Sequence, residues 1–283
     1  MRLLEALDAY LLQLAADGRS PHTIAQYNRH VRAFAMWLGP DRQLDAITTN
    51  DVARFMTAPA TLEGRSTATT NSLRTSLRAF FSFGHAAGFV PHNPARLLRL
   101  AIRSPGPPRG LSDDEVTRLM DGLTLSQGAC ARRDHLLVAI MLRAGLRLGS
   151  ALALDRGDID VDRREIRVRV AKRDQVEAVM FGRELADHLV GYLAGRPDGP
   201  LFATADGARL GQRQAQRRIE GWLRRAGIDH GSAHSMRHSF ALRLYARCGD
   251  VLLVQRALRH RSVVSTMAYA RASDQDVRNA LEA

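Results

Sequence analysis

A chain of 283 residues with 45% hydrophobic and 25% charged side chains is long enough for two cored domains and has the balance of a soluble globular protein. Its formal net charge of +12 points to a polyanionic partner. The sequence has no apolar run of membrane length and no leader-like core in MRLLEALDAY, so a cytoplasmic location with no membrane contact is expected. Cys130 and Cys248 lie far apart and outside any CxxC or His/Cys cluster. Both are expected to be small buried hydrophobes, with no disulfide and no metal site.

The first hundred residues read as helices with short polar joints. Leu3, Leu4, Leu7, Leu11, Leu12 and Leu14 follow a helical period that Asp17-Gly18-Arg19 interrupts. Ser20-Pro21 then supplies an N-cap and a proline at the first helical position. The second helix should reach about Leu38, with Ile24, Tyr27, Val31, Phe34 and Trp37 on one stripe facing a core. A short helix is expected after the Thr48-Thr49-Asn50 cap, and a longer one from about Ser66 to Ala87. Residues 1–100 are therefore expected to form a helical domain.

Residues 101–110, AIRSPGPPRG, hold three prolines, two arginines and no acid, as suits a stiff linker. Arg103 and Arg109 could track a phosphate backbone or simply be solvated. Residues 111–283 form the expected second domain, opening on a capping box in which Glu115 follows Ser112 by three positions. A buried helix, HLLVAIMLRAGL, should end at Gly145, with Arg147 just beyond it. Alternation in EIRVRVAK puts Ile166, Val168 and Val170 on one face and Arg167 and Arg169 on the other. This is a half-buried strand, and VEAVMF is its returning partner. Asp158, Asp160 and Asp162 lack the glycine and the final glutamate of a calcium loop, with Arg163 and Arg169 at those positions, and read as turn chemistry.

Of the 41 Lys plus Arg residues, only Lys172 is a lysine, and it falls at the hairpin turn. An ammonium can surrender a proton and a guanidinium effectively cannot, so Lys172 is either a proton donor or the survivor of a compositional bias. Further on, Arg209, Arg213 and Arg217 are spaced at i+4. On one helix they would form a stripe suited to phosphates or a major groove, or a solvated face.

The stretch around which the chain is organised runs from His234 to Tyr269, with His234, Arg237, His260 and Tyr269 close enough in sequence for helical folding to gather them. That set suits anionic phosphate better than a metal. His234 and His238 at i, i+4 lack the glutamate of HExxH, and His238 reads as structural or supporting.

GLR at 145–147, the hairpin lysine at 172, HSMRHSFA from 234, LRH from 258 and STMAYAR around Tyr269 occur in the order, and at the separations, of one family. Together they resemble the tyrosine recombinase (phage integrase and Xer) family. RSPHTIAQYNRHVRAFAMWL at 19–38 is similar to the family's N-terminal DNA-clasping helical domain. The resemblance implies a mainly α fold with a small β-hairpin or sheet in the C-terminal domain, arranged as a two-domain C-shaped DNA clamp. It implies a site-specific DNA recombinase or integrase working through a 3′-phosphotyrosyl intermediate and a Holliday junction without metal or ATP. Tyr269 would be the nucleophile, Arg147 and Arg237 would hold the phosphate, and His234 would accept the tyrosine proton. His260 would hydrogen-bond the phosphate and Lys172 would protonate the leaving 5′-oxygen. Partners would be double-stranded DNA with paired half-sites and three further subunits, as a homo-tetramer or a hetero-tetramer with a second recombinase. The helix expected at residues 273–283 would dock on a neighbour. With the first helix starting near residue 3, the simple two-domain kind is implied, without an arm-binding domain. A DNA-binding protein without catalysis and a type IB topoisomerase are the alternatives.

Three departures from the family pattern stand out. Ser150 takes the place of the usual acid three residues after Arg147, Arg259 takes that of the glycine before His260, and the hairpin carries Gln175 and Glu177 instead of a second basic pair.

Overall fold

The computed structural model describes residues 1–102, 109–170, 175–259, 264–267 and 269. The chain divides into two compact units, Met1–Ser104 and Pro105–Ala283.

The first unit is all helical: α1 (Leu3–Ala16), α2 (Pro21–Leu38), α3 (Thr49–Thr57), α4 (Pro59–Leu62) and α5 (Thr67–Ala86). The starts are set by local chemistry. Ser20, Thr48 and Ser66 each accept the backbone N–H three residues on, meeting donors that a helix start otherwise leaves unpaired. Leu3, Leu7, Val31, Phe34, Leu73, Leu77, Phe80 and Phe81 are fully buried in one core. The leucine periodicity overreaches at Leu12, which is 74% exposed, and Trp37 sits at the rim. Leu12 falls opposite the face defined by Leu3, Leu7 and Leu14, so it has no neighbour to pack on. The unit's chain is tied off at Ala101, whose N–H and C=O pair with the Asn71 side chain at 2.9 Å each.

The second unit holds α6 (Asp113–Leu125), α7 (Ala129–Arg143), α8 (Leu148–Leu152), α9 (Arg183–Leu193), α10 (Gln212–Arg225), α11 (Ala233–Cys248), α12 (Val251–Leu258) and α13 (Val264–Met267). A three-stranded antiparallel sheet lies between α8 and α9 in the chain, in the order β1 (Ile159–Asp160), β2 (Glu165–Val170), β3 (Gln175–Met180). Ile166 and Val168 are buried on one face of β2 while Arg167 and Arg169 are exposed on the other. The aspartate-rich stretch does more than turn the chain, since Ile159 and Asp160 pair with Ile166 and Glu165 as a first short strand.

Helix α7 is buried nearly all round, with Leu136 through Leu142 at 2% exposure or less, and serves as the axis of this unit's core. Asp134 on α7 is 2% exposed and is fully engaged. It accepts from Arg218 Nε at 2.6 Å, Trp222 Nε1 at 2.9 Å and Arg133 Nη2 at 3.1 Å. A buried carboxylate is tolerable only when paired in this way, and this one pins α10 to α7.

Two expectations need correction. Both cysteines are exposed. Cys130 lies in the first turn of α7 before its buried stretch, and Cys248 is the last residue of α11, beside the Asp250 cap. Arg209 is not on α10, which begins at Gln212 after the Gly211 N-cap. It stands in an isolated bridge with Ala203. Among the described residues no helix is long and apolar enough to cross a membrane.

Candidate active site

Four elements of the second unit converge on one small cleft. Arg147, Ser150, Arg237 and Arg259 line it, together with Gly145 and Leu258. Arg147 is the exposed N-cap of α8. It is placed by the turn at Gly145, which has φ +64 and lies under Phe240.

Helix α11 opens with a capping box between Ser232 and Ser235. His234, Arg237 and His238, three and four residues apart, therefore share a face. Arg237 is 4% exposed. Its Nη1 donates to the carbonyl of Gly145 and its Nη2 to that of Leu258 at 2.5 Å, so the ends of α7 and α12 hold it from two sides. Among the described residues neither Arg147 nor Arg237 has a carboxylate within ion-pair distance. Burial and the charge of Arg147 lower the Arg237 pKa to about 10, which leaves it cationic at neutral pH. A buried guanidinium paired only with carbonyls is incompletely compensated, and the cleft is thus electrostatically ready for an anion.

Tyr269 is 6% exposed and packs with Ala241, Val254 and Leu258. Its hydroxyl lies 2.5 Å from Nδ1 of His238. The His234 ring stands edge-on to that of His238 with centroids 4.4 Å apart. Burial, then His234 and Arg237, push the His238 pKa down to about 4, so the imidazole is neutral, and in its Nε2–H tautomer Nδ1 accepts from the phenol. Burial raises the Tyr269 pKa while Arg237 and Arg147 oppose the rise. The nucleophile candidate is therefore protonated at neutral pH, already hydrogen-bonded to a base and within the field of two guanidinia.

His238 is the residue that the linear pattern undervalued. Among the described residues it, and not His234, bonds the tyrosine hydroxyl. Its spacing, one turn after His234 and adjacent to Arg237, puts it on the same face as both without deciding which histidine meets the tyrosine. Lys172, His260, Arg103 and the helix expected at residues 273–283 lie outside the described residues. Of the arginines expected on DNA, Arg109, Arg213 and Arg217 are exposed. Arg167 donates to the carbonyl of Gly157, and Arg169 pairs with Asp158 at 3.4 Å and Asp155 at 3.7 Å. Arg209 is committed to the protein itself, donating to the carbonyls of Leu152 and Leu154 at 2.8 and 2.9 Å and pairing with Asp155.

The uncharged histidines set a pH response. His238, and His135 on α7, are each pushed down to about 4, first by burial. The unfolded chain protonates them near about 6.5. Between those values the unfolded state binds more protons, so folding stability is lost as pH falls from about 6.5 towards 4 and is unaffected above that window. With both rings only half buried, the loss should be on the order of 1 kcal/mol each. Urea unfolding at pH 7.5 and 4.5 should show it, and His238→Gln should remove part of the difference.

Two family models match this chain. The phage integrase family model covers residues 109–276, and the phage integrase N-terminal SAM-like domain model covers residues 7–88. The chain belongs to the phage integrase family of tyrosine recombinases. Among its relatives in that family, tyrosine recombinase XerC of Chromohalobacter salexigens is 32% identical over 98% of this chain and 94% of its own. Tyrosine recombinase XerC of Alcanivorax borkumensis is 29% identical over 94% of this chain and 89% of its own. Among solved structures, the integrase of the transposon Tn1549 in complex with circular intermediate DNA superposes with a TM-score of 0.81 at 18% identity, over 100% of both chains. At that identity the likeness bears on the fold, which is that of the tyrosine recombinases.

Proposed function

We propose that this tyrosine recombinase cuts and rejoins DNA at specific sites with Tyr269 as its nucleophile. The observation that carries the reading is the Tyr269 hydroxyl, hydrogen-bonded to a neutral His238 in the field of Arg147 and Arg237. The phenolic oxygen attacks a backbone phosphorus, and its proton passes to Nδ1 of His238. The bond to the 5′-oxygen breaks, leaving a 3′-phosphotyrosyl link and a 5′-hydroxyl. Arg147 and Arg237 stabilise the charge that builds on the non-bridging oxygens, a task suited to planar, multi-donor guanidinia. Lys172 would give the leaving oxygen its proton and His260 would bond the phosphate. Attack by the 5′-hydroxyl of another strand reverses the step and seals the exchanged junction. Because the phosphotyrosyl bond retains the energy of the broken one, cleavage and rejoining need no external energy source in either direction.

The partner is double-stranded DNA. Exposed Arg109, Arg213 and Arg217 are proposed to meet its phosphates, and Arg167 and Arg169 lie on the solvent face of β2. We further propose a tetramer on paired half-sites, of this chain alone or with a second recombinase. Supporting it is a groove of about 700 Å³ beside α11 and α12, bordered by Met180, Phe240 and Leu253, which offers apolar surface to a neighbour's helix. Site-specific recombination is favoured over DNA binding without catalysis and over topoisomerase activity because the full-length relatives are tyrosine recombinases.

The test is covalent trapping. DNA fragments flanking the chain's own gene, labelled and nicked so that religation is blocked, should give an SDS-resistant adduct. DNA binding with no adduct from any fragment, with or without a second recombinase, would overturn the reading. His238→Gln should slow adduct formation by about 100-fold, as expected for loss of a general base, with DNA affinity unchanged. An unaltered rate would return the base role to His234.

A further inference from the structure

Arg259 closes α12 in the left-handed region, with φ 54 and ψ 44. That conformation costs a residue bearing a side chain about 1 kcal/mol relative to glycine. Among the described residues only one other non-glycine, Arg164, has a positive φ. Strain of this kind persists where the surroundings impose it and gathers at functional sites.

The side chain reaches across to β3, where its Nε lies 3.0 Å from Oε2 of Glu177. Its Nη2 is fully buried and has no hydrogen-bond partner among the described residues. A buried N–H without an acceptor is costly and calls for an explanation. Arg259 also lines the cleft that holds Arg147 and Arg237. Burial lowers the Arg259 pKa, Glu177 counters the fall, and Arg147 adds to it, so the cations lie within each other's fields. Arg237 is tied to the carbonyl of Leu258, the residue immediately before Arg259. The cleft therefore gathers Arg147, Arg237 and Arg259, of which, among the described residues, Arg259 alone has a carboxylate partner, and one buried donor is unmet. A group that offers only acceptors and carries negative charge would complete it.

We propose that Arg259 is a third phosphate-binding guanidinium of this site, latched by Glu177 in the free protein and turned to a non-bridging oxygen when the DNA phosphate arrives. Two departures from the family pattern, Arg259 in place of a glycine and Glu177 in place of a base, then form one device. Glu177 compensates the extra charge until substrate replaces it. The proposal rests on the reading that this cleft receives the reacting phosphate.

Orthovanadate and inorganic phosphate, titrated calorimetrically into the full chain at low ionic strength, provide the probe without knowledge of the target site. Arg259→Gly removes the guanidinium while suiting the left-handed backbone, so the variant should fold. Its vanadate affinity should fall about tenfold, as for loss of a charge-assisted hydrogen bond. Glu177→Gln, which frees Arg259, should tighten binding by about threefold. A purely architectural latch would shift the melting temperature of both variants and leave both affinities at the wild-type value, overturning the proposal. Arg147→Ala separates this from failure of the underlying reading. If Arg147→Ala weakens binding while Arg259→Gly and Glu177→Gln do not change it, only the Arg259 proposal falls. If Arg147→Ala binds like the wild type, or the wild type binds neither anion, the cleft is not the phosphate site and both fall.

Discussion

Tyr269→Phe should fold, bind DNA with wild-type affinity and form no covalent adduct. The change removes one oxygen from a residue whose ring is packed against Ala241, Val254 and Leu258, and phenylalanine preserves that packing. The lost hydrogen bond to His238 leaves a ring only half buried, which water can satisfy, so the stability change should stay within about 1 kcal/mol. The chemical consequence is far larger. Without the phenolic oxygen the chain has no nucleophile at this position, and cleavage of nicked DNA should fall by at least about a thousandfold. An electrophoretic shift assay run beside an SDS gel separates the two properties. Residual cleavage near the wild-type rate would place the nucleophile elsewhere.

The second large effect is expected at a residue that does no chemistry. Gly145→Ala forces a side chain into a backbone with φ +64, and the new Cβ would lie 2.7 Å from Cε1 of Phe240. Neither partner can give way freely. Phe240 belongs to α11, and the Gly145 carbonyl is an acceptor for the buried Arg237. Overpacking together with backbone strain should cost about 2–4 kcal/mol. For a unit of this size that lowers the melting temperature by roughly 6–12 °C. Cleavage should decline more than DNA binding, because the displaced turn carries Arg147. Adding Phe240→Leu should recover part of the stability, since it relieves the contact but not the backbone strain. A Gly145→Ala chain that melts like the wild type would show that the turn is looser than this packing implies.

Much of this architecture was legible where local chemistry decides it. Ser20, Thr48, Ser66 and Ser112 announce their helices because a hydroxyl at the N-cap meets backbone donors that have no other partner. The alternation of Ile166 and Val168 with Arg167 and Arg169 announces β2 in the same way. What failed depends on contacts distant in sequence. Two residues, Ile159 and Asp160, carry no periodicity of their own and become a strand only because β2 lies beside them. Arg209 fits an i+4 pattern with Arg213, but Gly211 starts the helix late, and carbonyls from residues 152 and 154 claim the guanidinium. The exposed cysteines show that a residue type's usual burial does not settle which face of a helix it occupies.

The candidate site follows the same division. Arg147, His234, Arg237 and Tyr269 could be singled out in the chain by family resemblance, and the fold brings Arg147 and Arg237 to one cleft. The partner of Tyr269 could not be singled out in that way. Whether His234 or His238 meets the hydroxyl depends on how the segment carrying Tyr269 returns across α11, a tertiary matter that spacing within one helix cannot decide. The pairing of Arg259 with Glu177 was hidden for a related reason. Each looked like an isolated departure, and only the approach of α12 to β3 joins them.

Tyr269 is expected to carry the DNA strand during recombination. Peptide mapping of the trapped adduct tests it most directly: after proteolysis and nuclease digestion, the peptide spanning residues 262–271 should carry a nucleotide through a 3′-phosphate on Tyr269. A nucleotide on any other residue, or a 5′-phosphate linkage, would contradict the account.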